Sequence, residues 1–106
     1  MKKKNKSLDL LLENANRYLR GNEKTVALNL LDRLIFMEKV LDQLQEEIGR
    51  NGVVENFING KQNFIRESQA LKSYNNTIKN YQKILAEVSK MIPDSNVFDP
   101  FSPIDD

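Results

Sequence analysis

The chain of 106 residues has no cysteine, no histidine and no tryptophan. Disulfide staples, thiolate nucleophiles, imidazole bases and the usual zinc ligands are therefore excluded. Glycine occurs four times and proline three times. No stretch approaches 18 uncharged apolar residues, and the lysines at the N-terminus precede no apolar run. Neither a membrane span nor a secretion signal is expected. At this length one domain is expected, with a core that is marginal for a lone subunit.

Two apolar ladders dominate what is there. Ala27, Leu30, Leu34, Met37, Leu41, Leu44 and Ile48 recur at alternating spacings of 3 and 4, and Leu71, Tyr74, Ile78, Tyr81, Leu85, Val88 and Ile92 repeat the pattern. A seam of period 3.5 keeps an apolar edge facing a partner helix along its whole length. Each ladder spans about 31 Å at 1.5 Å per residue. Folded back on each other, they would lie flush, Ala27 beside Ile92 and Ile48 beside Leu71. The fold class expected is mainly all-α: an antiparallel hairpin of long helices with a small β-hairpin at the connection and a short N-terminal helix, assembled into a ring homo-oligomer.

The boundaries follow from local chemistry. Residues 1–6 form a basic arm, residues 7–93 a helical oligomerisation domain and residues 94–106 a flexible acidic-aromatic tail. Ser7 is a plausible N-cap for a short helix over 8–20, with Leu8, Leu11, Leu12, Ala15 and Leu19 on one face and Gly21 at its end. Asn22 caps a long helix over 23–48, which Gly49 stops. Val53, Val54, Phe57 and Ile58 face Phe64 and Ile65 across Asn59-Gly60, a β-hairpin over 53–66. That turn pairs Ile58 with Lys61, Phe57 with Gln62 and Val54 with Ile65. A lone two-stranded hairpin is marginal, so it should pack on the helix ends or join a larger sheet. Ser68 caps the second long helix, over 69–92, where Ala70, Thr77, Ile84 and Met91 flank the seam, and Pro93 ends it.

The first long helix carries more apolar residues than its seam uses. Leu28, Leu31, Ile35, Phe36 and Val40 widen the stripe, as does Val26; the short helix at 8–19 can cover part of this excess, and the rest asks for a neighbouring subunit. Charge is divided as well: residues 22–49 carry net −3 and residues 68–92 net +3, which favours antiparallel pairing of the two helices. Lys72, Lys79, Lys83 and Lys90 form a stripe opposite much of the second seam. Lys2, Lys3, Lys4 and Lys6 of the arm, with Arg17, Arg20, Lys61 and Arg66, complete a set of nucleic-acid-binding candidates. Lysines without recognition-helix patterning point to phosphate contact instead of base readout. A stripe of this kind is also an ordinary solvated helix face.

Catalytic constellations are missing. Glu46 and Glu47 are adjacent on a helix and point about 100° apart, so they cannot share a proton or a metal. The glycines do not form a phosphate loop, because no Lys-Ser/Thr pair opens a following helix. Tyr74 and Tyr81 lie in the seam and read as core residues with hydroxyls at the rim. No enzyme activity, cofactor or metal is expected.

Ile58-Asn59-Gly60-Lys61, then Ala70-Leu71-Lys72-Ser73-Tyr74, Asn75-Asn76-Thr77-Ile78-Lys79-Asn80-Tyr81 and Ile92-Pro93, resemble small terminase subunits of tailed bacteriophages. With the preceding long helix, the resemblance covers roughly residues 22 to 93. It implies a small helical protein that forms rings, lacks catalytic residues, recognises viral double-stranded DNA and brings it to the large terminase subunit in the host cell cytoplasm. Phe98, Phe101 and the acidic tail would then be contacts for that large subunit. Two departures stand out. Ser68-Gln69 occupies the place where many relatives open the second helix with His-Pro, and the 21 residues before Asn22 are too few for the helix-turn-helix domain many relatives carry. The alternative is a coiled-coil interaction or chaperone-like protein without a nucleic-acid role. A chorismate-mutase-like helical enzyme would need several basic groups converging on a pocket, whereas Arg33 and Lys39 are the only ones between Ala27 and Ile48.

Overall fold

The computed structural model describes residues 6–60, 62–94 and 100–101, with backbone alone for Lys6, Ser7, Phe57–Asn59 and Gln62–Phe64. It is mainly helical: α1 (Lys6–Tyr18), α2 (Gly21–Asn51), β1 (Val54–Asn59), β2 (Gln62–Glu67) and α3 (Gln69–Met91). The long helices α2 and α3 pack on each other, and α1 packs on α2. The molecule measures 60 × 33 × 25 Å, with a radius of gyration of 17.6 Å. A compact domain of this length would have roughly 13 Å. The excess comes from a helical pair whose length is closed by a third helix at one end only.

Burial along the seam records that asymmetry. Tyr81, Leu85 and Val88 of α3 and Ile92 at its end are buried, whereas Leu71, Tyr74 and Ile78 stay half-exposed. The buried set joins Ala27, Leu31 and Leu34 of α2 and Leu8, Leu11, Ala15 and Leu19 at α1 in one core. Three helices can surround a side chain, and two leave one edge of the seam open to water. Ala70, Thr77, Ile84 and Met91, beside the seam, are half-buried throughout.

Several local details depart from the sequence reading. Leu12, expected on the inner face of α1, is exposed, and Asn14 is buried in its stead. The Asn14 amide meets its polar need by donating to the Asp94 carbonyl at 3.4 Å, consistent with the rule that buried polar groups find partners. Gly21 does not follow α1 as a simple stop. It opens α2 at φ 61°, with Arg20 in the extended N-cap position. At the far end α2 runs through Gly49 to Asn51, because a single helical glycine costs only about 1 kcal/mol. Gly52, at φ 87°, is the true cap, its N–H donating to the Ile48 carbonyl at 2.7 Å.

The hairpin forms in a register two residues away from the one expected. Asn59 pairs with Gln62, Phe57 with Phe64, Glu55 with Arg66 and Val54 with Glu67. The tight loop is thus at positions 60 and 61, with Gly60 at φ 63° supplying the left-handed residue. Moving the partner by two keeps every residue on its original face. It also sets an anion, Glu55, opposite a cation, Arg66, which is favourable across strands. Arg66 Nε donates to Glu55 Oε1 at 3.0 Å. The sheet has two strands, and Val54 and Ile65 are exposed, Ile65 at 69%. The hairpin therefore does not bury these residues on the helix ends.

Ser68 joins the hairpin to α3. Its Oγ accepts from the Leu71 N–H at 3.0 Å as an N-cap, and its own N–H donates to the Val53 carbonyl at 3.0 Å. One residue thus closes the base of the hairpin and opens the helix. Pro93 follows Ile92, the extended C-cap of α3.

Candidate nucleic-acid and assembly surfaces

At 100° per residue, Lys72, Lys79, Lys83 and Lys90 fall within about 40° of one another on α3, opposite Tyr81, Leu85, Val88 and Ile92. All four are exposed. Among the described residues no carboxylate lies within ion-pairing distance of them. Asn75, Asn76 and Ala86 lie beside them, also exposed, so the outer face of α3 is polar and cationic along about 27 Å. Such a row offers point charges to a backbone of phosphates and no planar fork for a base edge.

The other cationic candidates are dispersed. Arg17 is exposed, 3.8 Å from Glu13 and 5.9 Å above the Tyr18 ring. Arg20 turns back on α1, donating to the Leu19 carbonyl at 3.0 Å and the Arg17 carbonyl at 3.4 Å. It satisfies orphan carbonyls at that helix end. Arg66 is held by Glu55. Lys2, Lys3, Lys4, Lys61 and the Lys6 side chain lie outside the described residues. The structure thus brings four of the twelve candidates into one row and engages Arg20 and Arg66 within the subunit.

The assembly candidates divide in the same way. Leu31, 1% exposed, belongs to the core, and Leu28 packs half-buried against it. Ile35 and Phe36 are exposed, Phe36 at 66%, and Val40 is half-buried. Val26 shares the outer face with Phe36 and Val40. The positions 26, 29, 33, 36, 40, 43 and 47 repeat the 3-4 spacing on the far side of α2 from α3, with Asn29, Arg33, Gln43 and Glu47 between the apolar residues. This second, mixed ladder is legible in the sequence. The stronger seam beside it hides it until one knows which face α3 covers. Leu10, Leu12 and Tyr18 add exposed apolar surface on α1.

Of the two tail phenylalanines, Phe98 lies outside the described residues. Phe101 does not project: its ring meets Tyr81 edge to face, with centroids 5.3 Å apart at 88°. Among the described residues no cluster of acidic side chains could hold a metal ion, and no helix is long and apolar enough to cross a membrane. Set against protein-family models, curated proteins and solved structures, the chain finds no match in any of the three.

Proposed function

We propose that this chain is a non-catalytic DNA-binding subunit that works as a homo-oligomer, of the kind found as the small terminase subunit of tailed phages. In that role it brings viral double-stranded DNA to the large terminase subunit inside the host cell. The observation that carries the reading is the row of four exposed lysines along the outer face of α3. One subunit offers few phosphate contacts. Copies arranged in a ring through the exposed apolar residues of α2 would present the row many times over and hold duplex DNA without reading its sequence.

The test is DNA binding by the full chain as a function of salt. Each neutralised phosphate contributes a slope of about −0.9 in log K against log salt. Wild-type protein should bind duplex DNA with a steep slope, and Lys79→Glu with Lys83→Glu should flatten it for every sequence tried. Absence of salt-sensitive binding at low ionic strength would defeat the reading. Native mass spectrometry supplies the second half: a single closed species of several subunits is expected, and a monomer at every concentration would defeat the assembly.

One feature favours a second reading, a helical-hairpin protein that binds other proteins. Val53, Val54 and Ile65 expose β-branched side chains on a hairpin beyond the helix pair, and such exposed apolar clusters mark interaction sites. Oligomers that ignore DNA would support it.

A further inference from the structure

The Tyr81 hydroxyl donates to Glu38 Oε2 at 2.6 Å, which fixes the level of α3 against α2. The helices run antiparallel, so residues whose numbers add to about 119 stand side by side along the pair. Assembly about an axis parallel to the helices moves no residue along that axis. In a ring or a two-fold pair of that kind, α2 of one copy meets α3 of the next in the same register.

The outer ladder of α2 finds a counterpart in that register. Arg33, Phe36, Val40, Gln43 and Glu47 share their levels, to within about 1.5 Å, with Glu87, Ile84, Asn80, Thr77 and Ser73. These five positions of α3 repeat the 3-4 spacing. They lie between its seam and its lysine row, roughly 100° from the row at 100° per residue. Phe36, 66% exposed, falls opposite the half-buried Ile84. Arg33 falls opposite Glu87, and both are exposed. The helices agree in net charge as well. Setting α2 against α2 opposes two segments of net −3, whereas α2 against α3 opposes −3 to +3, and unlike fields select the partner face and its direction.

We propose that the outer ladder of α2 docks antiparallel on the Ser73–Glu87 flank of α3 in a second copy of the chain, with Phe36 on Ile84 and Arg33 paired to Glu87. A second copy is the occupant because both ladders belong to this chain and their unlike charges coincide in the register that Tyr81 and Glu38 impose. The inference rests on the homo-oligomer reading and is independent of DNA binding. The lysine row stays beside the contact and outside it.

The test is a charge exchange in the full chain, read by native mass spectrometry over a range of concentrations. Arg33→Glu and Glu87→Arg, each alone, bring like charges together and should lower the apparent association constant about tenfold or more. The double variant should recover most of that loss, and added salt should shrink the differences. Single variants that assemble like wild type, or a double variant no better than the singles, overturn the docking. Because the chain has no cysteine, a mixture of Val40→Cys and Asn80→Cys proteins under mild oxidation gives a second reading. A disulfide needs Cα atoms within about 7 Å, and the mixed dimer is the expected product. Val40→Cys linked to itself would place α2 on α2 and overturn the proposal. A wild type that stays monomeric at every concentration defeats the assembly itself, whereas an assembled wild type without the mixed crosslink defeats this contact alone.

Discussion

Tyr81 reaches across the helix pair to Glu38, hydroxyl to carboxylate at 2.6 Å, from a side chain that is itself fully buried. The pair fixes how far α3 can slide along α2, because the bond exists at one axial offset only. The ring supplies apolar burial, and the hydroxyl finds its acceptor at the half-exposed edge of the seam.

Tyr81→Phe should therefore keep the fold and lower stability. Hydrogen bonds to charged groups contribute about 1.5–3 kcal/mol, but Glu38 can recover water when its partner is lost. The expected cost is about 1 kcal/mol, below that range. Glu38→Gln should cost less, and the double variant should fall short of the sum of the two. Urea unfolding of the four proteins checks this, and strict additivity would mean the pair is not coupled.

Leucines of the same seam should differ by their position along it. Leu34 is 0% exposed, where α1 completes the core, while Leu44 lies half-exposed nearer the hairpin. Leu34→Ala should cost about 2–5 kcal/mol as a buried cavity. Leu44→Ala should cost clearly less in the isolated subunit, because water reaches the vacated space. Equal costs at low protein concentration would show that something covers the open end of the seam.

The two ladders fixed the helices, their antiparallel order and the position of the connection, because a repeat sustained over seven positions leaves few alternatives. Termini were less legible. Gly49 and Gly52 lie three residues apart and carry the same side-chain information, and only the backbone separates a tolerated helical glycine from a cap. The hairpin register sets Glu55 opposite Arg66, a cross-strand ion pair that the Asn-Gly turn preference does not foresee. Asn14 is buried and Leu12 exposed on α1, and the Asn14 amide finds its acceptor at the Asp94 carbonyl, eighty residues away, which no local pattern marks. Phe101 read as tail because nothing local marks its contact with Tyr81. The lysine row was visible as spacing, whereas the contacts that hold Arg20 and Arg66 within the subunit are ones that spacing cannot show.

The two glycines give predictions of opposite sign. Gly49 lies within α2 with open space around a built Cβ, so Gly49→Ala should stabilise by about 0.5–1 kcal/mol through helix propensity and a less flexible unfolded chain. Gly52 also has open space, but its φ of 87° and ψ of 174° lie where side-chain-bearing residues are strained. Gly52→Ala should cost about 1–3 kcal/mol. Thermal melts of the two variants suffice. A destabilising Gly49→Ala would place the end of α2 earlier than Asn51.

Phe36 separates assembly from folding more cleanly than any other position. Exposed to 66% on the outer face of α2, it contributes little to the subunit's own core. Phe36→Ser should change subunit stability by no more than about 0.5 kcal/mol, as is usual for surface positions. If the outer ladder joins subunits, the same substitution removes its largest apolar contact and leaves a hydroxyl facing the neighbour. Native mass spectrometry should then show smaller species at concentrations where the wild type is fully assembled. Leu31→Ala is the necessary comparison, since Leu31 is 1% exposed and should lower stability without a separate effect on assembly. Wild-type assembly with Phe36→Ser would exclude the outer face of α2 and leave the exposed residues of α1 or the hairpin to join the subunits.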